Sequence, residues 1–131
     1  MDDATPDLEA LERLTDPEQV RALEQPLSHL TRDTEILLFI SPGCAVCPHQ
    51  LRSLATLVLA SPRVTLDVVD AAEEPELAAR YEVRAVPTTV VDDELVMVGV
   101  VHPAELALRL VERQGPEAAR MVFTLLLGAG R

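Results

Sequence analysis

The sequence predicts an α/β domain, a small four-stranded mixed sheet with helices on both faces. Three observations predict it. Two short runs rich in leucine, isoleucine and valine, residues 36–40 and Val64–Asp70, flank a helix-length stretch with apolar residues at helical spacing. Strands joined by a helical crossover run parallel. Two further runs, Thr88–Val91 and residues 94–101, are joined by Asp92-Asp93, the mark of an antiparallel hairpin. With the helical stretches interleaved, the order after residue 34 is β-α-β-α-β-β-α.

Each element has its own signals. The first 34 residues read as helical and acidic, with Leu8, Leu11 and Leu14 at helical spacing. Asp16, Pro17 and Gln19 form a helix start: an N-cap, a proline at the first helical position and a glutamine three residues after the cap. Val20, Leu23, Leu27 and Leu30 continue an apolar stripe, and Pro26 inside it predicts a kink or split. These helices are expected to cover the sheet edge and bury Leu11, Val20, Leu23 and Leu27; a docking surface is the other reading. Ile36-Leu37-Leu38-Phe39-Ile40 is an unbroken apolar run, suited to a strand buried on both faces.

A helix is predicted from Cys44 to about residue 60, with Leu51, Leu54 and Val58 on one face and Ser61-Pro62 as its stop. Val64–Asp70 is the second strand. Glu74-Pro75 starts a short helix reaching Tyr81. The hairpin follows, and His102-Pro103 opens a helix closed by Gly115. A last amphipathic stretch, residues 116–127, contains Met121-Val122-Phe123-Thr124-Leu125-Leu126-Leu127; it is expected to pack on the domain or to make a dimer or partner contact.

Composition bounds the function. A chain of 131 residues that is 48% hydrophobic suits one domain with a real core. The expected division is a helical extension (1–34), a core (35–115) and a C-terminal helix and tail (116–131). No apolar run approaches the roughly 18 residues that span a bilayer. The net charge of −11 argues against nucleic acid or an anionic membrane as partner. Lysine is absent, which excludes Schiff-base, P-loop and lysine-base mechanisms. The acidic N-terminus has no basic stretch followed by an apolar one, so no signal peptide is expected and a reducing, cytoplasmic compartment is the default.

The chemistry lies in Ser41-Pro42-Gly43-Cys44-Ala45-Val46-Cys47-Pro48. A thiol attacks a disulfide only as the thiolate. A cysteine at a helix N-terminus faces unpaired backbone N–H groups and the positive end of the helix dipole, and both favour the thiolate. Lowering its pKa by about two units corresponds to roughly 2.7 kcal/mol. A second thiol three residues on lies within reach of a disulfide. Cys44 is therefore expected exposed and Cys47 buried below it. Zinc is the competing reading. It needs four ligands, there is no second cysteine pair, and only His29, His49 and His102 remain as histidine ligands. Downstream, Val83-Arg84-Ala85-Val86-Pro87-Thr88 puts a proline at a strand start. A cis Val86-Pro87 bond there would present the Val86 backbone to an extended peptide.

Together, the strand, the CxxCP helix start, the helix ending at Tyr81, the VRAVPT segment and the hairpin reaching Gly99 resemble the thioredoxin superfamily over residues 36–114. Cys44-Ala45-Val46-Cys47-Pro48 resembles glutaredoxin-like units, as in protein disulfide oxidoreductases and the N-terminal domain of the alkyl hydroperoxide reductase flavoprotein. The resemblance implies a thioredoxin-like fold and thiol–disulfide exchange without a bound cofactor. It implies Cys44 as nucleophile, Cys47 as resolver, Pro87 as the cis-proline, and Val86, Pro87 and Gly43 as client contacts. It also implies disulfide-containing protein clients and an external reductase or thiol, with the chain acting as monomer or homodimer.

The sequence departs from thioredoxins at four places. Gly43 stands where they have tryptophan, Leu38 replaces their buried aspartate, and their lysine is missing. Ala45-Val46 matches neither the thioredoxin nor the glutaredoxin dipeptide, which leaves the direction, reductant or oxidant, open. The base for Cys47 is left among Glu35, Asp70, His49 and water. Without a lysine or a clear basic cluster, a glutathione site has no support. Two other classes compete: a binding or adaptor module with vestigial redox chemistry, and a metal or iron–sulfur protein holding its group through Cys44 and Cys47.

Overall fold

A computed structural model describes residues 7–115. The chain runs α1 (Leu8–Leu14), α2 (Pro17–Leu27), β1 (Thr34–Ile40), α3 (Cys47–Ala60), β2 (Val64–Asp70), α4 (Pro75–Arg80), β3 (Thr88–Val91), β4 (Leu95–Val98) and α5 (Pro103–Gln114). The mixed sheet has the order β2-β1-β3-β4. β1 runs parallel to β2, from Thr34 opposite Val64 to Ile40 opposite Asp70. β3 is antiparallel to both β1 and β4. The predicted succession of strands and helices is the one observed. The C-terminal stretch 116–131 lies outside the described residues.

Local chemistry explains the helix ends. Asp7 and Asp16 cap α1 and α2, their side chains accepting the N–H groups of Glu9 and Glu18. Pro26 does not split α2 as expected. It occupies the last turn, the helix ends one residue later, and the missing N–H costs a single bond. Leu30, read as part of that helix, lies in the following turn but is still buried.

The N-terminal helices also sit differently from expectation. They do not line the sheet edge: α1 packs on α3, and α2 on α3 and α5. The cause is the stripe of Leu23, Leu27 and Leu30, which joins the core formed by Leu54, Leu57, Leu106 and Leu110. Val20 is only half-buried. Under α3 and α5 lie Ile36, Leu38, Val64, Leu66 and Val91 of the sheet. The opposite face carries a smaller cluster of Phe39, Val69 and Val90 against Ala78 of α4.

The hairpin turns at Asp92 and Asp93, whose φ angles of 50° and 62° suit the right-handed twist of the strands. Asp92 also accepts the Glu35 N–H at 2.8 Å. β4 is shorter than the predicted run. Gly99, at φ 95°, turns the chain out of the ladder in a conformation that L side chains rarely adopt. Among the described residues no helix is long and apolar enough to cross a membrane.

Candidate active site

β1 ends at Ile40, and the next six residues carry the chain to the start of α3. The helix predicted from Cys44 begins three residues later. Gly43 adopts φ 83°, which is not helical, and Val46 is the N-cap. Val46 has no side chain able to cap, so the first turn takes another acceptor: the Cys47 N–H points at Cys44 Sγ, 3.1 Å away. Cys44 thus lies just ahead of the helix, its sulfur in the capping position. The Cys44 and Cys47 sulfurs are at bonding distance, with Cα atoms 5.5 Å apart. Cys47 is buried as expected, at 5% exposed, whereas Cys44, expected exposed, is half-buried because it sits against the Val86-Pro87 loop. Gly43 is exposed, and a Cβ placed there would meet nothing within 4 Å, so backbone conformation alone is what favours glycine.

The second loop arrives from the other side. The Val86-Pro87 bond is cis, and the Val86 carbonyl oxygen is 3.9 Å from Cys44 Sγ. Pro87 is buried and Val86 half-buried. Thr88 Oγ1 donates to the Ala85 carbonyl at 2.6 Å, and the Gly99 N–H donates to the Pro87 carbonyl at 2.8 Å. Cys44, Cys47, Val86, Pro87 and Gly43, distant in sequence, therefore gather at one end of the sheet.

The bases weighed for Cys47 are not gathered there alike. Glu35 lies at the opposite end of β1, five residues from Ile40, which is about 17 Å of strand. Asp70 caps its own turn, accepting the N–H groups of Ala72 and Glu73. His49 is exposed on α3 and lines a groove of about 320 Å³ with Arg52, Val100 and His102. That groove gathers two histidines and an arginine that sequence reading did not bring together, because His102 lies fifty-three residues after His49 in the chain. Leu38 is fully buried in the main core. Among the described residues no group of three or more His, Cys, Asp and Glu side chains is gathered as a metal would require.

Sequence reading also missed Gln50. Its side chain is fully buried, donating from Nε2 to Thr89 Oγ1 and accepting the Val101 N–H at Oε1, both at 2.8 Å. The available signal was its position. Residues 47, 50, 54 and 57 share one buried face of α3, so position 50 is a polar residue on an apolar stripe.

A thioredoxin-domain family profile matches residues 34–112. The chain belongs to the thioredoxin-domain family. Among solved structures, this thioredoxin domain is similar to the N-terminal domain of an alkylhydroperoxide reductase from Enterococcus faecalis: 25% identity and TM-score 0.62, covering 68% of this chain and 42% of that one. It is similar to a protein disulfide oxidoreductase from Aeropyrum pernix, at 27% identity and TM-score 0.62, covering 70% of this chain and 42% of that one. It is also similar to mitochondrial thioredoxin 3 from Saccharomyces cerevisiae in its oxidised form, at 25% identity and TM-score 0.55, covering 68% and 87%. The chain thus spans about two fifths of the first two proteins it resembles. No curated protein sequence matches it. The reductase and the disulfide oxidoreductase among its structural neighbours are redox enzymes, and it carries a CxxC pair at disulfide distance.

Proposed function

We propose that this thioredoxin domain is a thiol–disulfide oxidoreductase in which Cys44 is the nucleophile and Cys47 the resolver. The observation that carries the reading is the paired sulfurs at the head of α3, one half-buried beside the Val86 carbonyl and the other buried. In the reduced protein the Cys47 N–H and the positive end of the α3 dipole would favour Cys44 as thiolate. That thiolate attacks one sulfur of a client disulfide. A mixed disulfide forms and the other client sulfur leaves as thiolate. Cys47, as thiolate, then attacks Cys44 Sγ, the mixed disulfide breaks, and the second client sulfur leaves. The client gains two electrons and the Cys44–Cys47 pair becomes the disulfide, which an external thiol or reductase returns to dithiol.

The cycle needs no bound cofactor. Glu35 is remote and Asp70 holds its own turn, which leaves His49 and water as acceptors for the Cys47 proton. Val86, Pro87 and the exposed Gly43 backbone would face the client. The clients are disulfide-bearing proteins, peroxidases included, and the alkylhydroperoxide reductase likeness supports that class. A reducing, cytoplasmic compartment suits the cycle.

The test is client capture. Cys47→Ser should accumulate mixed disulfides through Cys44, and Cys44→Ser should form none. Insulin-disulfide reduction that survives in Cys44→Ser would overturn the assignment.

A further inference from the structure

We propose that Gln50 is a positioning residue for this exchange, one buried amide that holds three client-facing segments in a single arrangement. The inference rests on the exchange reading and names a residue outside the sulfur chemistry. Gln50 lies one helical turn after Cys47 and is fully buried. Its orientation is forced. The Val101 backbone N–H can only donate, so Oε1 faces Val101 and the NH₂ group faces Thr89 Oγ1.

The two bonds close a circuit. Thr89 is two residues past Pro87. The Pro87 carbonyl accepts the Gly99 N–H, and Val101 is two residues past Gly99. From α3 through Gln50 to Val101, back along Gly99 to Pro87 and Thr89, every link is a hydrogen bond or a short covalent path. The circuit sets the dithiol helix against the Val86-Pro87 loop and against Val100, which is 48% exposed in the groove beside His49 and Arg52.

A leucine would share the helix face of Leu54 and Leu57, but it would leave the Val101 N–H and Thr89 Oγ1 without their partner, so the amide satisfies those groups as well as packing. What the amide adds is directional fixing of two segments that have no backbone ladder with α3. Misplacing a reacting group by about 1 Å can cost on the order of 100-fold in rate.

The test compares two reactions of Gln50→Leu and the unaltered chain, both reduced and fully folded by circular dichroism. Alkylation of Cys44 by iodoacetamide reads the thiol itself. Reaction with a disulfide-bonded peptide reads the arrangement. The peptide rate should fall by about 10- to 100-fold while alkylation changes by less than about threefold. Hydrogen exchange at the Val101 amide should quicken by about tenfold or more. A folded Gln50→Leu with a peptide rate within about threefold of the unaltered chain overturns the proposal, as do equal losses in both reactions. If Gln50→Leu does not fold, Thr89→Val removes one arm. It should lower the ratio of peptide rate to alkylation rate by about fivefold, and an unchanged ratio overturns the role. An unaltered chain that alkylates normally but never reacts with the peptide sinks the exchange reading itself, and the role of Gln50 with it.

Discussion

The two faces of the sheet are made by the same four strands but are covered unequally. On one, Ile36, Leu38, Val64, Leu66 and Val91 lie under α3 and α5, with α2 packed over those helices. On the other, Phe39, Val69 and Val90 meet the six-residue α4, while Val96 and Val98 stay 45% and 64% exposed. The difference separates two tasks. The deep face anchors the helix that begins at Cys47. The shallow face packs Tyr81, Val83 and Val86, so the segment leading to Pro87 comes from the thinner layer. The sulfurs and the Val86 backbone meet at the sheet end, each supported by a different face.

Matched substitutions give the strongest way to break this comparison. Leu57→Ala, on the deep face, should cost about 2–5 kcal/mol in urea unfolding. Leu77→Ala, half-buried on the shallow face, should cost about 1 kcal/mol. Equal costs would show that the faces do not differ energetically. Native-state hydrogen exchange sharpens the point. Amides of α3 should open only with global unfolding, and those of α4 should open earlier, since fewer buried contacts hold them.

A smaller effect depends on pH. Tyr81 donates to Asp93 in the hairpin turn, tying the end of α4 to the sheet. That hydrogen bond, with some burial and the Asp93 charge, raises the Tyr81 pKa above its ordinary value of 10.0, and the nearby Arg80 opposes the rise. The folded state thus disfavours the ionised phenol. The stabilisation is whole below pH 10.0 and is lost as pH climbs through the raised value. Denaturation midpoints between pH 8 and 12 should fall more steeply for the unaltered chain than for Tyr81→Phe. Parallel curves would remove Tyr81 from the account. Smallest of all, Val98→Thr should move stability by no more than about 0.5 kcal/mol in the same urea assay, because its side chain is already largely in water.

Much of this was legible in the sequence because the signals are local. Alternation and turn chemistry placed Val64–Asp70 and Thr88–Val91, and Asp92-Asp93 marked the hairpin. Capping and proline signals placed the starts of α2 and α5. Helix edges were less legible: Gly43 at positive φ delays α3 to Cys47, and Gly99 ends β4 early. Pro26 shows the limit of a local rule, since its cost depends on how much helix remains after it. Residues 116–131, read as a helix and tail, fall outside the described residues.

By itself the sequence determined the order of elements, the parallel crossover and the spacing of Cys44 and Cys47, because periodicity and covalent spacing act over a few residues. Only the tertiary structure decided that α2 stacks on the helix layer, that Val86 meets Cys44, and that Gln50 joins Thr89 to Val101. The Val86 and Gln50 contacts join residues about forty to fifty positions apart. They exist only once burial of the leucine stripes has chosen how the layers pack.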